Sequence, residues 1–131
     1  MSNYTVEKDW RTAAGLRAVV IMNTLGYRCG YVGVPATHLL FGVSYNQDAL
    51  VLKDASPEGV IDVHGGLTYA GDGDCPVPSK LWWFGYDCGH YGDAPEPGSL
   101  MARYTLSGVH RTLDFCIEQC ESLARQLAEV E

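Results

Sequence analysis

Two stretches of this chain concentrate side chains that can do chemistry: DVHGGLTYAGDGD at 62–74 and WWFGYDCGHYGD at 82–93. Each sets a histidine among glycines at the edge of an apolar run. Gly65 and Gly66 follow His64, and Gly89 and Gly92 bracket His90, so the backbone can approach a ligand closely or take positive φ. If the two apolar runs are neighbouring strands, their ends bring His64, Asp87, His90 and Asp93 together.

Such a cluster supports three chemistries. Imidazole and carboxylate can hold a divalent metal, although Asp87-x-x-His90-x-x-Asp93 matches no established metal signature. Cys88 can act as a nucleophile with His64 or His90 as base, but alternation along the strand sets Cys88 opposite Asp87, where an inert buried thiol is the simpler fate. The third chemistry is binding of a polar small molecule that carries an aromatic group. Trp82, Trp83, Tyr69 and Tyr86 offer stacking faces, and His, Asp and glycine N–H groups supply directed hydrogen bonds, the mixture a nucleotide requires.

We therefore take His64, Gly65, Gly66, Thr68, Tyr69, Trp82, Trp83, Asp87, His90 and Asp93 as the candidate ligand-binding set. No catalytic residue is assigned and no cofactor is expected, with a divalent metal at His64, Asp87, His90 and Asp93 as the minor reading. One of Trp82 and Trp83 must serve the core, because neighbours on a strand face opposite ways. The competing structural reading has both histidines simply hydrogen-bonded to Asp87 and Asp93. His38 and His110 read as a loop residue and a residue at a helix start.

The elements that must position these residues follow from hydrophobic pattern. Leu113, Cys116, Ile117, Cys120, Leu123, Ala124 and Leu127 draw one stripe on a helix predicted over 108–128, with Ser107 as N-cap. RAVVIM, YRCGYVGV, LLFGVSY, VIDVHGGLTY and KLWWFGY read as strands, and no long helical pattern separates them, which disfavours parallel βαβ units. DASPEG, GDGDCPVPS and GDAPEPGS read as loops, the last as a mobile flap beside the polar cluster. Residues 1–14 read as a flexible or edge segment. The expected fold is a single α+β domain over 1–131, a mainly antiparallel sheet packed by the C-terminal helix.

Composition narrows the function classes. At 131 residues and 47% hydrophobic, the chain can bury a core without staples. A net charge of −7 argues against a duplex nucleic acid partner held by phosphate neutralisation. The N-terminus lacks the apolar core of a signal peptide and the longest strongly apolar run, AVVIM, is too short to span a bilayer, so a cytoplasmic protein with no membrane partner is expected. Five cysteines without a CxxC fit reduced thiols in that compartment.

YRCGYVGVP, DVHGGLTY, WWFGYDCGHYGD and RTLDFCIEQCESLARQL together resemble a family of small proteins of bacteriophages, prophages and actinobacterial genomes. The resemblance spans roughly residues 27 to 127; Tyr86 stands where that family has Phe, and GHY where it has AHA. It implies a phage context, in which small accessory proteins counter host defence. The expectation is thus a phage-type accessory protein that binds a nucleotide-like molecule and sequesters a host immune signal, in the host cytoplasm. One alternative is a hydrolase using the same residues, with or without a metal, on a nucleotide-like substrate. The other is an acidic inhibitor whose partner is a host defence protein. Homo-oligomerisation is compatible with each.

Overall fold

The computed structural model describes residues 4–104 and 107–130. Strands β1 (Tyr4–Arg11), β2 (Arg17–Asn23), β3 (Arg28–Val34), β4 (Tyr69–Gly71) and β5 (Trp82–Asp87) form one antiparallel sheet in the order β1-β2-β3-β5-β4. A one-turn helix α1 (Pro57–Val60) lies in the long connection from β3 to β4, and a two-stranded parallel ladder pairs β6 (Asp93–Ala94) with β7 (Val109–His110). Helix α2 (Leu113–Ala128) covers one face of the sheet. The α+β fold read from the sequence is the fold observed.

The alternation of the strands splits the core in two. Ala18, Val20, Val32, Val34, Phe84 and Tyr86 face α2 and meet Cys116, Cys120, Leu123, Ala124 and Leu127. Val19, Ile21, Tyr31 and Trp83 form a second cluster on the far face. Gly30 lets the helix layer come close: a Cβ there would stand 2.5 Å from the Tyr86 ring. Tyr86 instead lies across β3 and donates its hydroxyl to the Cys116 carbonyl at 2.9 Å.

Several expectations are corrected. α2 begins at Leu113 instead of 108, and its N-cap is Thr112, whose Oγ1 accepts from the Phe115 amide at 3.1 Å. Gly108 has φ +113°, and the two residues after it are taken by the ladder with β6, so the chain turns into the helix only afterwards. LLFGVSY is a series of turns (Phe41 N to His38 O, Val43 N to Leu40 O), with Leu40 fully buried. Of VIDVHGGLTY only Tyr69 enters a strand, and within DASPEG the chain forms the start of α1.

The 92–99 segment is anchored: Asp93 and Pro95 are buried, and the Glu96 amide donates to the Gly26 carbonyl at 2.8 Å. From Tyr4 to Arg11 the N-terminal segment is an edge strand and residues 12–14 turn towards β2, while residues 1–3 lie outside the described residues.

One buried cation ties the sheet to the segments around it. Arg28 holds Glu7 through Nε (2.7 Å) and Nη2 (3.2 Å), Glu96 through Nη1 (2.9 Å), and the Arg111 carbonyl (3.1 Å). Glu7 reaches it because the β1–β2 register shifts between Val6 and Lys8, which leaves Glu7 as an extra, re-aimed residue. β1, β3, the 92–99 segment and the approach to α2 are thereby fixed to one guanidinium.

Candidate functional site

β4 and β5 are antiparallel neighbours, with Tyr69 opposite Gly85, so the chain before β4 lies beside the chain after β5. His64 precedes its strand whereas His90 follows its own, and antiparallel pairing is what joins them. Their ring centroids are 6.0 Å apart.

Asp93 sits at the centre, its side chain only 1% exposed. It accepts from His64 Nε2 (2.9 Å to Oδ2), from Arg111 Nε (2.8 Å to Oδ1) and from the His90 amide (3.1 Å). Burial pushes its carboxyl up, but these hydrogen bonds outweigh that and hold it below the usual carboxylate range. The charged oxygens of Asp93 can only accept, so His64 Nε2 carries a proton. His64 Nδ1 makes no hydrogen bond among the described residues and is not a buried atom, which leaves it open to solvent.

Arg111 lies over the Phe115 ring at 5.0 Å, and His64 meets the same ring edge-on at 5.2 Å. The His64 amide donates to Gln119 Oε1 at 2.9 Å, which docks the 61–66 segment on α2. Between them runs a groove of about 420 Å³ lined by Asp62, Val63, His64, Gly65, Arg111, Phe115, Gln119 and Ser122. The Arg111 Nη groups have no partner among the described residues.

A second, shallower cluster adjoins it. Asp87 accepts from Thr68 Oγ1 (3.2 Å) and the Gly89 amide (2.9 Å). His90 Nε2 lies 3.3 Å from Asp87 Oδ1, too poorly aligned for a hydrogen bond, and remains a buried atom without one. His90 packs on Gly65, whose φ is +70° and where a Cβ would stand 2.3 Å from the ring. That contact is a physical reason for glycine at 65.

Of the candidate set, His64, Gly65, Gly66, Thr68, Asp87, His90 and Asp93 gather at this end of β5. The three aromatic residues do not. Trp83 is wholly buried on the far face, Tyr69 packs edge-on to Tyr31 there, and Trp82 donates to the Val43 carbonyl at the opposite end of β5. The exposed aromatic next to His90 in the chain is Tyr91.

Arg111, Phe115 and Gln119 were not legible as site residues. The available signal was Arg111 itself, a cation just before a helix N-terminus, where the helix dipole disfavours positive charge. His38 lies in the turns after β3, with its Nε2 2.7 Å from the Leu127 carbonyl at the C-terminal end of α2. His110 lies in β7 and pairs with Glu96 at 2.8 Å.

Among the described residues no group of three or more His, Cys, Asp or Glu side chains is placed to hold a metal ion. The geometry explains this, since Asp93 is committed to His64 and Arg111, and Asp87 to Thr68 and Gly89. Cys88 is 1% exposed, with its Sγ 3.6 Å from that of Cys116; this hydrogen bond and burial push its thiol up, away from the reactive thiolate.

The fold and site together define a small two-layer α+β domain with a polar groove between a histidine-bearing loop and its one long helix. No protein-family model, characterised protein or solved structure matches the chain. No helix among the described residues is long and apolar enough to cross a membrane.

Proposed function

We propose that this protein binds a small, phosphate-bearing, nucleotide-like molecule in the groove at His64 and Arg111, and that it holds this molecule without turning it over. The observation that carries the reading is Arg111: stacked on Phe115 and tethered through Nε to buried Asp93, it keeps its Nη donors for an anion beside His64. A guanidinium fixed in this way loses little freedom on binding and suits the fork geometry of phosphate oxygens. Tyr91, fully exposed beside His90, offers a stacking face for a base. In the phage context implied by the resemblance, the corresponding role is sequestration of a host nucleotide signal.

The test is incubation with a nucleotide and cyclic-nucleotide panel, followed by heat release and chromatography. The expected result is depletion of one ligand and its intact return on heating. Absence of depletion across the panel would overturn the reading in favour of the acidic, protein-binding inhibitor.

A hydrolase at the same groove is the second reading, and one observation favours it. With Nε2–H directed at Asp93, a neutral His64 presents the Nδ1 lone pair to solvent, the arrangement of a general base oriented by a carboxylate. The same experiment separates the two, because a hydrolase returns an altered ligand. For a binder, His64→Ala and Arg111→Ala weaken affinity in graded steps; for a hydrolase, His64→Ala removes about 10²–10⁴ in rate while binding survives.

A further inference from the structure

A second groove, of about 440 Å³, lies at the other end of the sheet. Arg17 pairs with Gly33, and Gly33 with Trp83, so this groove stands where β5 begins, whereas the His64 groove stands where β5 finishes. Arg11, Arg17 and Lys80 line it, three of the nine cationic residues of a chain whose net charge is −7. No carboxylate is among its lining residues.

The donors of this groove are only partly used. Arg17 is held by Asp9 through two contacts (2.9 and 2.6 Å) and lies over the Trp83 ring at 6.0 Å, so its charge is offset and its position set. Arg11 uses one donor on the Gly15 carbonyl at 2.6 Å, which occupies the nearest acceptor and leaves the rest of its guanidinium unpartnered among the described residues. Lys80 is exposed, and its side chain makes no hydrogen bond or ion pair among them. Ser79 Oγ accepts from the Leu81 amide at 3.2 Å and from Trp83 Nε1 at 2.9 Å. Both of its lone pairs are thereby used, and its proton remains to be donated. The side chains of the groove thus present unused donors on two uncompensated cations and a hydroxyl.

We propose that this groove is a separate binding site for a small molecule bearing a diphosphate group. Two cations without counter-charge match two phosphate charges, and the Ser79 hydroxyl between donor-only neighbours supplies a directed hydrogen bond to a phosphate oxygen. A volume of about 440 Å³ accommodates the diphosphate with a further substituent. The site shares no lining residue with the His64 groove and does not depend on what that groove binds.

The experiment is a titration of ¹⁵N-labelled full-length protein with inorganic pyrophosphate, read from amide shifts, against sodium chloride at matched ionic strength. Saturable shifts are expected at Gly15, Gly33 and Lys80. The Arg11→Gln and Lys80→Gln variants, both at exposed positions, each weaken binding about tenfold. Ser79→Ala also weakens it, while His64→Ala leaves it unchanged. Absence of saturable shifts at these amides, equal shifts from chloride, or undiminished affinity in the Arg11→Gln/Lys80→Gln double variant would overturn the proposal.

Discussion

Asp93 is the residue on which the candidate site turns. A buried carboxylate between an arginine and a histidine is stable only while both partners remain, and Asp93→Asn removes the charge that pairs them. The expected cost is about 1.5–3 kcal/mol in urea unfolding, because the half-buried Arg111 guanidinium loses its counter-charge and the charge-assisted hydrogen bonds at this position weaken. The pH dependence has a definite sign. The Asp93 and Glu96 carboxyls are both held below their ordinary values, Glu96 because hydrogen bonds from His110 and Arg28 outweigh its desolvation. Their stabilisation is therefore complete above the unfolded carboxylate pKa of about 4 and is lost as pH falls through the lower folded values. A urea midpoint that stays level from pH 6 to pH 3 would contradict this. Gly65 gives a second test: Ala at φ +70°, with its Cβ in the His90 ring, should destabilise by about 1–3 kcal/mol and shift the His90 ring resonances.

The element whose placement matters most is α2, since it supplies Phe115 and Gln119 and follows directly on Arg111. Its start is set by the side-chain cap at Thr112, so Thr112→Ala should cost about 0.5–2 kcal/mol. Ser107→Ala should stay within about 0.5 kcal/mol, as exposed positions without a specific role do. The reverse ranking in thermal unfolding would restore the longer helix read from the sequence. Leu123, fully buried on the apolar stripe, should cost about 2–5 kcal/mol on truncation to Ala.

For the molecule as a whole, Arg28 is the residue that joins layers. Its removal by Arg28→Ala strands Glu7, leaves Glu96 with His110 alone and should cost about 1.5–3 kcal/mol, and it should loosen the 92–99 segment and β1 together in hydrogen exchange. The thiols report the same packing. All five cysteines are free, and Cys88, Cys116 and Cys120 are buried, so an aromatic disulfide reagent should label at most Cys29 and Cys75 before denaturant is added. Burial pushes even the Cys29 thiol up to about 12, which makes its labelling slow.

The helix stripe, the strands RAVVIM, YRCGYVGV and KLWWFGY, and the meeting of His64, Asp87, His90 and Asp93 were all legible in the sequence. Hydrophobic periodicity is a local property, and once two runs are neighbours in an antiparallel sheet their flanking residues must meet. Local pattern also misled. LLFGVSY and VIDVHGGLTY carry strand-like composition, but Leu40, Ile61, Val63 and Leu67 are buried from turns and extended loops without a ladder partner, and only Tyr69 joins the sheet. Three decisions belonged to the tertiary structure. Pairing with β6 holds residues 109–110 out of the helix. The faces of β5 direct Trp82 and Trp83 into separate clusters, away from the histidines. Arg111 enters the site because Arg28 holds its carbonyl and Asp93 its side chain. These outcomes depend on partners distant in the chain, and no local spacing encodes which distant carboxylate a given arginine will meet.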